Sequence, residues 1–207
     1  MIGIFGGTFD PVHYGHLRSA LEVKELFGLT EVRLVLSAQP PHREQPAATA
    51  LMRLQMLELA IKNQPGLIID TRELNRQGAS YMVDTLKSLR QEFKNAPLLL
   101  FIGSDAFNQL KTWHQWPHLF DFAHLVVMTR PGFTIQNPDD FFKAKLATQL
   151  TELTHASVGK LYFQQVTQLD ISATAIRNMI AEQQNPGFLL PDTVIAYIRQ
   201  HQLYQRP

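Results

Sequence analysis

The sequence predicts an α/β fold in which one open parallel sheet carries helices on both faces. Short apolar runs alternate with longer amphipathic segments along the chain, which is typical of strands connected by helices. Residues 98–102 are continuously apolar, as expected of a central parallel strand that is buried on both faces. The first apolar run, residues 1–5, leads through a glycine pair into a helical segment. Together these patterns indicate a Rossmann-like architecture.

The amino-terminal half contains three predicted strands, each followed by a predicted helix. The strands are runs of apolar and β-branched residues, and the helices carry apolar residues at helical spacing. Thr49 and Ser80 are expected to cap the second and third helices. The predicted strands are residues 1–5, 31–36 and 67–70, and the predicted helices are a segment ending at Gly28, residues 50–62 and residues 81–93. The second helix is expected to pack on the core through an apolar stripe of Leu51, Leu54, Leu57 and Ile61.

The carboxyl-terminal half is predicted to add three more strands, at residues 98–102, 124–128 and 161–166. A helix is expected to begin shortly after Asp170, with Ser172 or Thr174 as its cap. Pro191 occupies a favoured first-turn position for a closing helix at residues 192–201. Residues 133–154 read as a proline-containing loop and a polar helix, to which we assign no chemistry.

Size and composition favour a single domain with a small-molecule ligand. The 207 residues are enough for one well-buried core, and we expect one domain spanning residues 1–207. The net charge of +1 and the 18% of charged residues provide no basic field for nucleic acid. The absence of cysteine suits a reducing compartment, and no signal peptide or apolar run of ~20 residues is present. We therefore expect a cytoplasmic protein without a membrane partner, and its oligomeric state stays open.

The segment that follows the first strand, residues 6–16, has the composition of a phosphate site. Gly6 and Gly7 allow close approach of the backbone to a ligand, and the following helix presents free N–H groups to an anion. His13 and His16 are three residues apart and can both project toward the same ligand. The alternative is a plain turn whose histidines cap and pack, which the presence of Thr8 and Asp10 disfavours. A metal site is not expected, because cysteine and a His-Glu-x-x-His motif are both absent.

Other candidate ligand residues also follow predicted strands. His42 and Arg43 come after the second strand, where they could reach phosphates or form a solvated loop. Gly103 and Asp105 follow the central strand, and Asp105 could bind a ribose hydroxyl or act as a helix cap.

Two further candidate sites lie later in the chain. Trp113 and His114 lie in a loop whose aromatic rings could stack on a planar ligand, although tryptophan is more often simply buried. The helix start near Ser172 and Thr174, with Arg177 one turn later, forms a second anion site.

The first motif, Gly-Gly-Thr-Phe-Asp-Pro followed by His-x-Gly-His, resembles the signature of the nucleotidyltransferase superfamily. Three further pieces follow in the order found in the bacterial nicotinate-nucleotide adenylyltransferase family: residues 40–43, residues 103–105 with Trp113, and residues 171–177. Arg43 stands where lysine is frequent, and Ala173 stands where serine is frequent. His114 replaces an aromatic residue such as tyrosine, which leaves the details of base recognition open.

This resemblance implies an enzyme that joins nicotinate mononucleotide to the AMP part of ATP and releases pyrophosphate, with Mg²⁺ accompanying ATP. It implies that His13, His16 and Arg177 are catalytic. The implied ATP-binding residues are Gly6, Gly7, Thr8, Phe9, His13, His16, Arg43, Gly103, Asp105, Ile171, Ser172, Thr174 and Arg177. The implied mononucleotide-binding residues are Thr8, His42, Arg43, Thr85, Trp113 and His114.

Alternative acceptors are phosphopantetheine and nicotinamide mononucleotide. The tryptophan loop and the chain length disfavour phosphopantetheine. A non-enzymatic ATP sensor of the same fold would be expected to lack His16 or Arg177, and both are present. An aminoacyl-tRNA synthetase is disfavoured by the missing Lys-Met-Ser-Lys-Ser-like loop.

Overall fold

A computed structural model of the protein describes residues 1–40, 45–130, 139–167 and 169–205. Six strands form one parallel sheet: β1 Ile2–Gly7, β2 Glu31–Leu36, β3 Leu67–Asp70, β4 Leu98–Gly103, β5 His124–Thr129 and β6 Leu161–Gln165. The strand order is β3-β2-β1-β4-β5-β6. This order confirms the predicted Rossmann-like sheet, because it is that of a doubly wound fold. Strands are added on one side of β1 up to β3 and on its other side from β4 onward, so the strand order reverses between β1 and β4.

Nine α-helices lie in the described part of the chain. The longer ones are α1 Tyr14–Leu26, α2 Ala50–Ile61, α3 Met82–Glu92, α8 Ala173–Ala181 and α9 Asp192–Gln200. The shorter ones are α4 Ser104–Asn108, α5 Leu119–Phe122, α6 Asp140–Lys145 and α7 Thr151–His155, and two 3-10 turns cover Leu110–Thr112 and Trp116–His118. No helix of the described residues is both long enough and apolar enough to cross a membrane.

The sheet has a separate apolar core on each face. Along β4, Leu99 and Phe101 belong to the core that α1, α2, α8 and α9 cover. Leu98, Leu100 and Ile102 belong to the core on the other face, which is covered chiefly by α3 and α5. Successive residues of a strand point to opposite faces, so an uninterrupted apolar run serves both cores at once.

The predicted helix caps meet different outcomes. Thr49 accepts a hydrogen bond from the backbone N–H of Met52, and Ser172 accepts one from Ala175, so both are caps as expected. The prediction for Ser80 was wrong, because Tyr81 occupies the cap position of α3 and the Ser80 hydroxyl accepts hydrogen bonds from the N–H groups of Ala38 and Gln39. Ser80 therefore joins the start of α3 to the loop after β2.

Two smaller predictions also need correction. Pro191 is the cap residue of α9 and not part of its first turn. The glycine pair does not form a turn, because Gly6 and Gly7 are the last two residues of β1 and both pair with β2. The turn begins with Thr8. Because Gly6 and Gly7 end the strand, they lie at the carboxyl edge of the sheet, where ligands bind in this fold class.

Candidate active site

The main cleft lies at the carboxyl ends of β1 and β4, the place where the strand order reverses. Its volume is about 830 Å³. A crevice forms at this point because the connections that follow the two adjacent strands run to opposite faces of the sheet. Twelve of the predicted ligand residues line it: Gly6, Gly7, Thr8, Phe9, His13, His16, Gly103, Asp105, Ile171, Ser172, Thr174 and Arg177. The structure thus gathers the first motif, the end of β4 and the start of α8 around one space.

The turn after β1 is shaped by Phe9. This residue has a φ of +51°, which is rare for a non-glycine residue, and its side chain is only 1% exposed. A Cβ atom at Gly7 would lie 2.8 Å from Cζ of the Phe9 ring. Glycine is therefore required at position 7 by the phenyl ring beneath it, independently of any ligand. The aromatic ring and the glycine together fix the course of the backbone at the floor of the cleft.

The two histidines of the motif are stacked on each other at the start of α1. Their ring centroids are 3.7 Å apart, and Phe9 meets the His16 ring edge-on at 5.1 Å. His13 is 5% exposed, and a Cβ at Gly15 would lie 2.9 Å from its Nδ1. Gly15 is thus the residue that leaves room for the His13 ring against the helix.

The surroundings of the histidines determine their charge and tautomer. Burial lowers the pKa of His13 to about 4, so this imidazole is neutral near pH 7. The backbone N–H of His13 donates to Nδ1 of His16 at 3.4 Å. A ring nitrogen that accepts a hydrogen bond carries no hydrogen, so this contact assigns the ring hydrogen of His16 to Nε2. Nε2 of His16 is then the ring atom able to donate to a phosphate oxygen.

Arg177 also lines the cleft and is already in contact with the first motif. Its Nη1 donates to the backbone oxygen of Asp10 at 2.8 Å, and its Nη2 donates to Oγ1 of Thr174 at 3.3 Å. The chain leading into α8 is also close to α1, because a Cβ at Gly15 would lie 3.4 Å from the carbonyl oxygen of Ile171. The two anion sites predicted from sequence are therefore parts of one site.

Asp105 also lines the cleft, from the first turn of α4. Gly103 caps this helix, and neither Ser104 nor Asp105 is its cap residue. The carboxylate of Asp105 is exposed and lines the cleft. Asp105 is therefore not the helix cap that was considered as an alternative, and its carboxylate is accessible to a ligand.

A buried arginine that was not predicted from the sequence connects the segments beside the cleft. Arg53 is 1% exposed, and its guanidinium donates to the carbonyl oxygens of Thr8 and Ser37, both at 2.7 Å. It also donates to Ala48 at 3.2 Å and to Ala38 at 3.3 Å. Arg53 thus joins the turn after β1 to the loop after β2 and to the start of α2.

The predicted apolar stripe of α2 was partly wrong, because Arg53 and not Leu51 lies on the buried face of this helix. Leu51 is 63% exposed, whereas Arg53 is buried on the same face as Met56 and Leu57. The signal that could have identified Arg53 is its helical spacing from these two apolar residues. An arginine at such a position is expected to find buried acceptors.

Asp10 was noted in the sequence only as one polar residue of the motif, and the structure makes it central. Its side chain is 4% exposed. Its Oδ2 accepts from the N–H of Ala47 at 2.8 Å, and its Oδ1 accepts from Ala48 at 3.2 Å and from the hydroxyl of Tyr204 at 2.7 Å. No local pattern pointed to Tyr204, which approaches from the carboxyl-terminal end of the chain.

Of the described residues predicted to hold the mononucleotide, only Thr8, which was also predicted to bind ATP, lines the main cleft. Thr85 is fully buried, and its hydroxyl donates to Oε1 of Glu73 at 2.6 Å. Trp113 is partly buried against the core that α3 covers, and His114 stacks on Tyr81 with ring centroids 4.2 Å apart. None of Thr85, Trp113 and His114 lines the main cleft as the structure describes it. His42 and Arg43 lie outside the described residues.

The start of α3 nevertheless connects this group of residues to the cleft. A Cβ at Gly6 would lie 2.6 Å from Cε of Met82, so the start of α3 lies directly beside the end of β1. Tyr81 precedes Met82 and carries the stacked His114 ring. The start of α3 and the tryptophan loop therefore form a second group next to the main cleft.

Comparison with known proteins agrees with this fold. The sequence model of the cytidylyltransferase-like family matches residues 4–179, so the chain belongs to this class of proteins. The "Probable nicotinate-nucleotide adenylyltransferase" of Methylococcus capsulatus is 48% identical over 210 residues and is covered completely, as is this chain. The protein of the same name from Pseudomonas putida (strain GB-1) is 46% identical over 209 residues, which cover 100% of this chain and 95% of the relative. The chain belongs to the nicotinate-nucleotide adenylyltransferase family.

Solved structures share the same fold. Plasmodium falciparum nicotinic acid mononucleotide adenylyltransferase complexed with NaAD superimposes with a TM-score of 0.74 at 20% sequence identity. The same enzyme complexed with APC gives a TM-score of 0.72 at 19% identity. In both comparisons the alignment covers 98% of this chain and 96% of the other.

Proposed function

We propose that the protein transfers the adenylyl group of ATP to nicotinate mononucleotide, forming deamido-NAD and releasing pyrophosphate as a step of NAD biosynthesis. The observation that carries this proposal is the single cleft into which β1, β4 and α8 bring His13, His16, Asp105 and Arg177. The family relationship, at 48% identity over the full chain, names the same reaction.

The chemistry requires little activation of the acceptor. A phosphate oxygen of the mononucleotide, already ionised at neutral pH, attacks the α-phosphorus of ATP. The bond between the α-phosphorus and the oxygen bridging to the β-phosphate breaks, and pyrophosphate leaves with that electron pair. Catalysis then consists of positioning two anions and stabilising charge on the leaving group. A site of histidines, arginine and helix starts, without a nucleophilic triad, suits this task.

We assign roles to the cleft residues on this basis. His16, with its hydrogen on Nε2, donates to ATP phosphate oxygens as charge develops on them, and the neutral His13 supports it from beneath. Arg177 binds the β- and γ-phosphates, a task that its fork of donors and permanent charge suit. Arg43 is proposed to assist from the loop after β2. Asp105 is placed to accept hydrogen bonds from the ribose of the adenosine.

We expect Mg²⁺ to arrive with ATP and to neutralise charge on its phosphate oxygens. Of the two carboxylates that line the cleft in the described structure, Asp10 has both oxygens engaged in hydrogen bonds, and Asp105 stands alone in the first turn of α4. Within the same residues no group of three His, Asp or Glu side chains could hold a metal ion. These residues fit a metal ion whose ligands are phosphate oxygens and water, which is a common arrangement for Mg²⁺.

The test is a turnover assay with the purified protein, ATP and Mg²⁺, following pyrophosphate release with each candidate acceptor. We expect release with nicotinate mononucleotide and much less with nicotinamide mononucleotide or phosphopantetheine. Binding of ATP without turnover on any acceptor would favour a non-enzymatic ATP sensor of the same fold. Efficient turnover with phosphopantetheine would overturn the proposed acceptor but not the adenylyl transfer.

A further inference from the structure

Asp10 is the meeting point of three distant parts of the chain, two of which hydrogen-bond to its carboxylate. It accepts hydrogen bonds from the N–H groups of Ala47 and Ala48, which precede α2, and from the Tyr204 hydroxyl, which follows α9. The guanidinium of Arg177 reaches the same residue from α8, but it hydrogen-bonds to the backbone oxygen of Asp10. Its distance to the nearest carboxylate oxygen, Oδ2, is 3.9 Å.

The position of Tyr204 depends on the chain reversal after α9. The N–H of Leu203 donates to the carbonyl oxygen of Ile198 at 3.0 Å, and Tyr204 has a φ of +63°. This turn directs the tyrosine back under the catalytic cleft, where its ring packs against the core that α1 and α2 cover. The hydroxyl then meets Oδ1 of Asp10 at 2.7 Å.

These contacts leave the Arg177 guanidinium available to a ligand. A buried carboxylate oxygen that lacks a donor is unfavourable, so a nearby cation tends to move against it. Neutral donors that occupy those hydrogen-bonding positions remove this need, although the negative charge remains. Here three neutral donors satisfy Asp10, and Arg53, the other cation near it, is held by backbone carbonyl oxygens. Arg177 consequently does not form a close ion pair with Asp10. Its side chain is 30% exposed and is among those that line the cleft.

We propose that Tyr204 is a positioning residue for ATP binding: by donating to Asp10, its hydroxyl prevents the carboxylate from drawing Arg177 away from the phosphates of ATP. This inference rests on the proposed function, in which Arg177 binds the β- and γ-phosphates. Tyr204 itself touches no reacting atom, and its influence passes through Asp10 and Arg177.

The test is Tyr204→Phe, which removes the hydroxyl and retains the ring packing. Tyr197→Phe is the matched control, since this tyrosine of α9 donates to the side chain of Gln55 at an exposed position. We expect the KM for ATP to rise roughly tenfold in Tyr204→Phe, in line with the loss of one hydrogen bond to a charged group. The KM for nicotinate mononucleotide should be unchanged, and Tyr197→Phe should behave like the wild type.

Two outcomes would overturn the inference: an unchanged KM for ATP, or an equal rise in both KM values, which would indicate a general loosening of the site. Combining Tyr204→Phe with Asp10→Asn provides a second test, because the amide that replaces the carboxylate carries no charge and therefore attracts Arg177 much less. In that background the phenylalanine should change the KM for ATP little, and an undiminished effect would refute the electrostatic route. If the wild type shows no turnover, the proposed function fails, and ATP affinity measured by isothermal titration still compares the same variants.

Discussion

At the scale of single residues, the site depends on small residues that make room for large ones. Gly15 admits the His13 ring, and Gly7 admits the Phe9 ring, so each glycine determines the position of an aromatic group beside the cleft. The stacked histidines and the edge of Phe9 then restrain one another. A donor held in this way loses little freedom when ATP binds, which is the condition for efficient stabilisation of a transition state.

The role of His16 leads to the first prediction. His16→Ala should lower kcat by ~10²–10³, since one preorganised donor to the developing charge is lost. The measurement is steady-state pyrophosphate release, with circular dichroism to verify the fold. His118→Ala is the control, because His118 lies on the surface in a pair with Asp121. Near-normal turnover of a folded His16→Ala protein would contradict the assigned role.

Acceptor choice leads to the second prediction, which concerns Trp113. We place the pyridine ring against Trp113, with His114 and the start of α3 around its substituent. A nicotinate carboxylate is stabilised by helix-start N–H groups better than a neutral carboxamide is, so kcat/KM should be much higher for nicotinate mononucleotide. Trp113→Ala should weaken binding of both mononucleotides through lost stacking.

Trp116 provides the comparison for this test. It packs against Phe141 and Phe142, so Trp116→Ala should lower thermal stability without changing the ratio of kcat/KM for the two acceptors. Equal kcat/KM for the two acceptors, or unaltered mononucleotide affinity in Trp113→Ala, would contradict the placement of the pyridine ring against Trp113.

At the scale of secondary-structure elements, the cleft is held by connections between loops more than by contacts between helices. Arg53 of α2 binds the turn after β1 and the loop after β2, and Ser80 binds that second loop to the start of α3. Arg177 binds α8 to the turn after β1. The loops that surround the cleft are therefore attached to one another as well as to the sheet.

This arrangement predicts a large effect for Arg53. Arg53→Met should lower the free energy of unfolding by at least about 2 kcal/mol, because several buried carbonyl oxygens lose their donor. It should also reduce kcat/KM, since Thr8 and Ser37 lose their common support. Urea unfolding and turnover assays measure the two effects. Leu51→Ala, at an exposed position of the same helix, should stay within about 0.5 kcal/mol of the wild type, and equal losses in the two variants would contradict this role.

At the scale of the whole molecule, buried histidines couple stability to pH. Burial lowers the pKa of His13 to about 4 from an ordinary value of 6.5, and it also lowers the pKa of His124. The unfolded chain binds protons at these groups at higher pH than the folded protein does. Their contribution to stability is therefore complete above about pH 6.5 and is lost as the pH falls toward the folded pKa.

The expected result is a fall in the free energy of unfolding between pH 7.5 and pH 5. His13 accounts for about 2 kcal/mol of that fall, as the integrated proton uptake of one such group requires. In His13→Asn, whose asparagine side chain cannot take up a proton, the fall in the free energy of unfolding should be smaller by this amount. Urea titrations of both proteins at the two pH values measure the difference. An identical pH dependence in the wild type and the variant would mean that His13 is protonated equally in both states.

The sequence alone determined the elements and the composition of the site. The bounds of β2 and β3 were predicted to the residue, and the two-faced core of β4 follows from its uninterrupted apolar run. The motif residues were identified because glycines, histidines and a helix start lie within one short segment. Such signals are local, since strand and helix periodicity and helix capping act over a few neighbouring residues.

Tertiary structure alone decided the strand order and the support of the site. Nothing in the local pattern around Arg53 specified the carbonyl oxygens of Thr8 and Ser37 as its partners, and nothing near Tyr204 indicated Asp10, 194 residues earlier. Ser80 likewise resembled a helix cap and instead binds a loop some 40 residues away. The physical reason is that buried polar groups must find partners, and only the packing of distant segments decides which partners are within reach.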